Sequence, residues 1–145
     1  MSNNTAVWND YKICILNGKF TNKLGVIETQ LEDKAKIFST NVERTLIDIT
    51  VRPAYSGGVF EVLNAFRLAK EKVSINKLAA TLKKLDYVYP YHQAIGFYVE
   101  RSQCYKESQI NLLKKIPIIY DFYLAHGMKE VEYSKEWKLY YPREF

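Results

Sequence analysis

The chain is short of the residues that build metal centres and nucleophilic sites. Two cysteines, Cys14 and Cys104, and two histidines, His92 and His126, are spread over 145 residues. The cysteines lie far apart, in no CxxC spacing and beside no histidine, which excludes a disulfide framework and a zinc-ligand pattern. Neither histidine falls in HExxH or in HxE followed by CxxC. GxSxG, the Walker A loop and GxGxxG are also missing, and Gly57-Gly58 alone is a turn rather than a phosphate loop. No apolar run approaches the roughly 18 residues of a spanning helix, and the N-terminus has no signal-peptide core. The expectation is a protein of a reducing cytoplasm, with no membrane association, no metal and no cofactor. Asp48, Glu100, Asp121 and a histidine can be imagined as an acid–base or metal set, but any chain this size offers such combinations. A nuclease or other hydrolase is therefore the weakest reading, and an enzyme is not expected.

What the chain does have is enough apolar content for a core. Hydrophobic residues make up 48% and charged residues 26%, so one folded domain is expected over residues 1–145. Twelve tyrosines raise the aromatic share. A buried tyrosine hydroxyl needs a partner, so many of these belong at a boundary or a contact surface. The net charge of +5 is uneven: residues 1–62 hold seven Lys/Arg against seven Asp/Glu, and residues 63–145 hold fourteen against nine. A neutral front and a basic back suggest one positive surface facing a polyanion.

The pattern along the chain predicts an α+β domain in three parts. Residues 1–39 read as a small antiparallel sheet. Residues 11–16 are rich in β formers and are followed by Asn17-Gly18, a hairpin signal, with a return strand through Lys19, Phe20 and Thr21. Residues 24–29 and 36–39 read as further strands. Residues 40–116 read as four to five helices. After the first, a helix over 59–70 places Val59, Val62, Leu63, Phe66 and Ala69 inward. Ser74 caps the next, with Ile75, Leu78, Ala79 and Leu82 inward and Leu85 near its end. Pro90 opens a helix over 91–102 with Ile95 and Val99 inward. Gly96 inside it costs about 1 kcal/mol against alanine, which predicts close packing on a neighbouring backbone. A weaker helix covers 106–115. Residues 117–145 read as strands over 117–124 and 137–141, with a turn at His126-Gly127.

The most fully determined stretch runs from Thr40 to Gly58. Thr40 and Glu43 fit a capping box, the hydroxyl accepting from the Glu43 amide and the carboxylate reaching back. Val42, Leu46 and Ile49 are expected to face the core, with Thr45 beside them. Arg44, Asp48 and Arg52 follow one another at steps of four, which reads as a surface ion-pair ladder rather than a ligand site. Pro53 disfavours helix at Arg52, and Gly57-Gly58 permits a sharp redirection.

Charge and aromatics concentrate just beyond. Arg67, Lys70, Lys72, Lys77, Lys83 and Lys84 are opposed only by Glu71, and Tyr87, Tyr89, Tyr91 and His92 follow at a break. Basic side chains next to exposed rings fit phosphate contact with base stacking. The plainer alternative is a solvated lysine face with tyrosines packed at its edge.

Three separated pieces resemble the C-terminal domain of the AbiEi family, antitoxins of type IV toxin–antitoxin systems used in abortive infection of bacteria by phage. The first is Glu43-Arg44-Thr45-Leu46-Ile47-Asp48, then Arg52-Pro53, then Gly57-Gly58 before a helix. The second, Ala94-Ile95-Gly96-Phe97-Tyr98-Val99-Glu100, is similar to the family's LGYxLE helix. The third, Trp137-Lys138-Leu139, is similar to its closing strand. The resemblance spans roughly residues 36–142 as spaced motifs. It implies a non-enzymatic antitoxin and regulator opposing a nucleotidyltransferase-like toxin, acting on or near nucleic acid, DNA or tRNA, with no stable toxin complex required. Family members usually carry an N-terminal winged helix that represses their own operon. Residues 1–35 here read as strands without a helix-turn-helix pattern, so operator binding by this chain alone is not expected. The other open reading is a nucleic-acid-binding module outside toxin–antitoxin biology.

Overall fold

The computed structural model describes residues 4–16 and 21–145. The chain is α+β, with five helices and three small sheets among the described residues. The N-terminal part is two separate antiparallel ribbons rather than one sheet. Strands β1 (Thr5–Trp8) and β2 (Tyr11–Cys14) pair with Trp8 opposite Tyr11. Asn9 and Asp10 between them both have positive φ, 44° and 66°, the two-residue turn whose twist matches a hairpin. The hairpin expected at Asn17-Gly18, with Lys19 and Phe20, lies outside the described residues. Strands β3 (Val26–Gln30) and β4 (Lys36–Thr40) form the second ribbon, from Val26 opposite Thr40 to Gln30 opposite Lys36.

Helix α1 (Val42–Val51) starts one residue later than the capping box requires. Thr40 is still paired in the β3–β4 ladder, so Asn41 becomes the N-cap and its Oδ1 accepts from the Arg44 amide at 2.9 Å. The Thr40 hydroxyl instead meets Thr45 Oγ1 at 2.7 Å. Glu43 is thereby released from capping and turns inward, where it is only 4% exposed. The buried face of α1 is Glu43, Leu46, Ile47 and Thr50, with Val42 and Ile49 left half-buried at its margins. The expected face was rotated because an ionisable residue was assigned to the outside.

Pro53–Tyr55 forms a short 3-10 turn, and Gly57 and Gly58 follow at φ +82° and +94°. That backbone region is costly for any residue with a Cβ, which is why the reversal into α2 (Val59–Ala69) falls on two glycines. The five residues expected inward on α2 are all buried. Helix α3 (Ile75–Leu85) is capped by Ser74 Oγ, which accepts from the Lys77 amide at 3.3 Å, and ends on Asp86 in the left-handed region. Helices α4 (Tyr91–Arg101) and α5 (Glu107–Lys114) complete the helical part. Phe66 and Tyr98 stack at 5.3 Å in the centre of the core, with Ile47, Val62, Leu78, Ile95 and Val99 around them.

The C-terminal sheet has the order β5-β7-β6, built from β5 (Phe122–Tyr123), β6 (Val131–Ser134) and β7 (Leu139–Pro142). The strand expected over 117–124 shrinks to two residues paired parallel to β7. The expected strand over 137–141 is β7, shifted so that Trp137 precedes it. Strand β6 was not foreseen because Val131-Glu132-Tyr133-Ser134 is short and half polar. Gln93, fully buried on α4, ties this sheet to the helices: its Nε2 donates to the Tyr120 and Trp137 carbonyls at 2.8 and 2.7 Å.

Trp137 explains Gly96. A Cβ on Gly96 would lie 2.1 Å from Trp137 Cζ3 and 2.2 Å from Cη2, so the close neighbour is an indole ring and not, as expected, a backbone. The indole Nε1–H donates to Glu100 Oε2 one turn further along α4, at 2.7 Å.

Candidate nucleic-acid interface

The six predicted cations do not form one continuous surface. Arg67 and Lys70 sit at the end of α2 and Lys72 in the link to α3, all exposed, with Lys70 Nζ 3.9 Å from Glu71. Lys83 and Lys84 are exposed in the last turn of α3, where they also complement the helix dipole. The eleven residues of α3 separate the two groups by about 15 Å. Lys77 belongs to neither group. Its ammonium lies 3.1 Å from Glu43 Oε2, while Glu43 Oε1 accepts the Ser74 amide at 3.0 Å. Burial pushes the Glu43 carboxyl up, but the Ser74 amide and the Lys77 ammonium outweigh it and hold the group below its ordinary value. Lys77 is a structural cation that neutralises a buried acid.

The break between α3 and α4 gathers the predicted tyrosines into one aromatic cluster. Tyr87 meets Tyr91 edge-on at 5.1 Å, Tyr91 meets Phe122 of β5 edge-on at 5.5 Å, and Tyr89 lies 6.2 Å from Tyr91 and 6.4 Å from Phe122. Tyr87 and Tyr91 are half-buried, and burial raises both hydroxyls above their ordinary value. Tyr89 is 64% exposed.

Tyr89 and Tyr91 line two grooves in common. The first, of about 600 Å³, runs between the end of α3 and residues 115–117, with Lys83, Lys115 and Asp86 among its lining residues and Tyr87 along it. His92 borders this groove. Its Nε2–H donates to the Pro117 carbonyl at 3.0 Å, and burial lowers its pKa against the pull of that bond, so the ring is neutral at pH 7. The second, of about 680 Å³, is lined by Arg52 and Tyr55 from the start of the fold and by Tyr123 and His126 from the C-terminal part. Among the described residues, neither Lys83 nor Lys115 makes an ion pair.

In the Arg44/Asp48/Arg52 row the expected pair of Arg44 with Asp48 forms, but Arg44 is more buried and more widely bonded than a surface ladder implies. Arg44 is 13% exposed, and its Nε reaches both Asp48 oxygens at 2.8 and 3.0 Å. Its Nη1 donates to Thr21 Oγ1 at 3.0 Å and to the Leu24 carbonyl at 2.8 Å, latching the segment before β3 onto α1. Arg52 closes α1 with its own amide on the Asp48 carbonyl at 3.2 Å, and its side chain lines the second groove. The four residues raised as a catalytic combination are engaged separately. Asp48 holds Arg44, Glu100 holds Trp137 and Lys114, Asp121 accepts the Tyr133 hydroxyl at 2.5 Å, and His92 bonds Pro117. Among the described residues no three His, Cys, Asp or Glu side chains are gathered as for a metal ion, and no helix is long and apolar enough to cross a membrane.

Sequence reasoning missed Lys115, Phe122, Tyr55 and His126 as neighbours of the tyrosines. The aromatic run before residue 124 was a signal for Phe122 alone, which lies in strand β5 as expected and meets the tyrosines from there; Lys115, Tyr55 and His126 carry no local signal. What the arrangement offers chemically is flat apolar walls with cations at their edge, a combination suited to ring stacking with phosphate contact. In comparison with known proteins, no family model matches the chain, and no curated protein and no solved structure is significantly similar to it.

Proposed function

We propose that this chain is an AbiEi-like antitoxin domain that opposes a nucleotidyltransferase-like toxin in phage defence, using its basic and aromatic face to engage nucleic acid. It acts in the cytoplasm, as a binding protein rather than an enzyme, and it needs no stable complex with the toxin. The observation that carries the reading is that the separated pieces of the resemblance pack as one unit. Gly96 of α4 admits the Trp137 ring, the Trp137 indole bonds Glu100, and α1 packs on α4 while Pro53 and Gly57-Gly58 redirect the chain into α2.

The test has two steps: whether a nucleotidyltransferase gene adjoins the chain's own, whose absence would count against the antitoxin reading, and, where one does, co-expression of the two. The chain is expected to restore growth, and charge reversal of Lys70, Lys83 and Lys84 to glutamate is expected to abolish that rescue with the helical circular-dichroism signal retained and only a modest loss of stability, about 0.3–1 kcal/mol for each acid placed at the C-terminal end of α3. Lys77 is left intact because it supports Glu43. Full rescue by the triple variant would overturn the role given to this face. The two grooves favour one second reading, a nucleic-acid-binding module outside toxin–antitoxin biology, which predicts strand binding in a chain that rescues no toxin.

A further inference from the structure

We infer that the grooves on either side of the Tyr89–Tyr91 wall hold two successive nucleotides of a single strand, one base against each face of the wall. The inference deepens the nucleic-acid reading of this face and rests on it. Both grooves lie within the size range of small-ligand sites, at about 600 and 680 Å³, and they share Tyr89 and Tyr91 as a common wall. A wall with an open groove on each side suits rings entering from both directions. Bases paired in a duplex present only their edges, so the occupant must be unpaired.

The cations fit a strand that crosses the wall. Lys83 and Lys115 border the first groove on opposite elements, α3 and the residue after α5, and neither is paired among the described residues. Asp86 also lines the first groove, where the two lysines outnumber it, and Arg52 is among the residues lining the second. Tyr89 also has the exposure the role needs: its ring touches Tyr91 and Phe122 only at aromatic-contact distance, and 64% of the residue is open. Tyr87, in the first groove, and Phe122, in the second, each meet Tyr91 edge-on and hold its ring in place, while Tyr89 offers the open ring. A free nucleotide has no use for two grooves joined across one wall, whereas a dinucleotide step does.

The experiment is fluorescence anisotropy of the whole chain with labelled oligothymidylate, labelled oligouridylate and a duplex of the same length, across a salt series. The single strands are expected to bind more tightly than the duplex. Tyr89→Ala is expected to weaken strand binding by roughly 5- to 150-fold, the usual range for loss of one stacking ring. Tyr89→Phe, which keeps the ring, is expected to bind within about twofold of the native chain on the same stacking ground. Lys83→Gln with Lys115→Gln is expected to reduce the slope of log affinity against log salt by about 1.4, at about 0.7 per single-strand phosphate contact. Equal binding of duplex and strand, unchanged binding by Tyr89→Ala with an unaltered melting curve, or displacement of the strand by one equivalent of nucleoside monophosphate would each overturn the inference. The two readings fail separately. Strand binding without toxin rescue removes the antitoxin role and leaves the grooves; rescue without strand binding does the reverse.

Discussion

Gly96→Ala is the substitution on which local propensity and packing disagree most sharply. Alanine in a helix interior is favoured over glycine by about 1 kcal/mol, so propensity alone predicts a more stable protein. Packing predicts the opposite. The new Cβ would stand 2.1 Å from Trp137 Cζ3 and 2.2 Å from Cη2, against an ordinary contact of 3.4 Å or more, so the ring must retreat by over an ångström. Trp137 is fully buried, and overpacking a filled core costs about 1–3 kcal/mol. Retreat also pulls the indole Nε1–H from Glu100, a bond to a charged acceptor worth about 1.5–3 kcal/mol. Net of the propensity gain, destabilisation of about 2–5 kcal/mol is expected, or a melting temperature lower by roughly 8–20 °C for a domain of this length. Urea unfolding followed by Trp137 emission, in a Trp8→Phe background because Trp8 is exposed, gives the midpoint and slope. The clash also predicts non-additivity: in a Trp137→Phe background, with unfolding followed by far-UV circular dichroism, the alanine should cost far less. An unchanged or higher midpoint for Gly96→Ala would refute the packing argument, and additive costs would refute its attribution to Trp137.

Two further outcomes follow from the buried ion pairs. Glu43 has a carboxyl held below its ordinary value of 4.5, so its ionisation stabilises the fold fully above that value and the contribution drains as pH falls through the folded pKa. Glu43→Gln should lower stability by about 1–3 kcal/mol at neutral pH, and its urea midpoint should fall less steeply on acidification than that of the native chain; parallel profiles would remove Glu43 as the source. Arg44→Lys keeps the charge but loses the fork that holds Asp48, Thr21 and the Leu24 carbonyl together. A loss of about 1–3 kcal/mol is expected, with faster amide exchange across Val26–Thr40, and unchanged exchange there would show that Arg44 does not latch the ribbon.

The helices were legible because their signals are local. Ser74 capped where expected, the inward face of α2 was right at every position, and Pro90 marked the start of α4 to within one residue. The errors share a different cause: each depended on a partner distant in sequence. Thr40 lost its capping role to strand pairing with Val26, and Glu43 went inside because the Ser74 amide and Lys77, about thirty residues away, were there to receive it. Residues 117–124 have strand composition, yet only the end of the run meets β7: Phe122 and Tyr123 pair with it, and the Leu124 amide donates to the Tyr140 carbonyl at 2.9 Å. The rest of that run supplies backbone acceptors to side chains instead, Pro117 to His92 and Tyr120 to Gln93. The candidate site was half legible for the same reason. Tyr87, Tyr89, Tyr91 and Lys83 are contiguous and were found together, while Phe122, Lys115 and Arg52 come from other parts of the chain.

The uneven charge of the chain takes on a different meaning once its partners are known. The excess of positive charge in residues 63–145 suggested a single basic face, but several of those cations are consumed internally. Lys77 neutralises Glu43, and Lys114 is held by Glu100 and Glu136 beside the Trp137 ring. Of the cations that remain, Lys83 and Lys115 line the groove beside the tyrosines, Lys84 follows Lys83 in the last turn of α3, and Arg67, Lys70 and Lys72 lie at the far end of α3. The stretch from Thr40 to Gly58 then has two consequences from one set of contacts. Arg44, Pro53 and Gly57-Gly58 fix the course of the backbone, and that course carries Arg52 and Tyr55 to the edge of the groove opposite Tyr89. A segment with an adequate structural role at every position therefore still sets one side of the candidate binding surface. Substitutions there that leave stability intact but shift the 3-10 turn should change ligand affinity without touching a ligand contact.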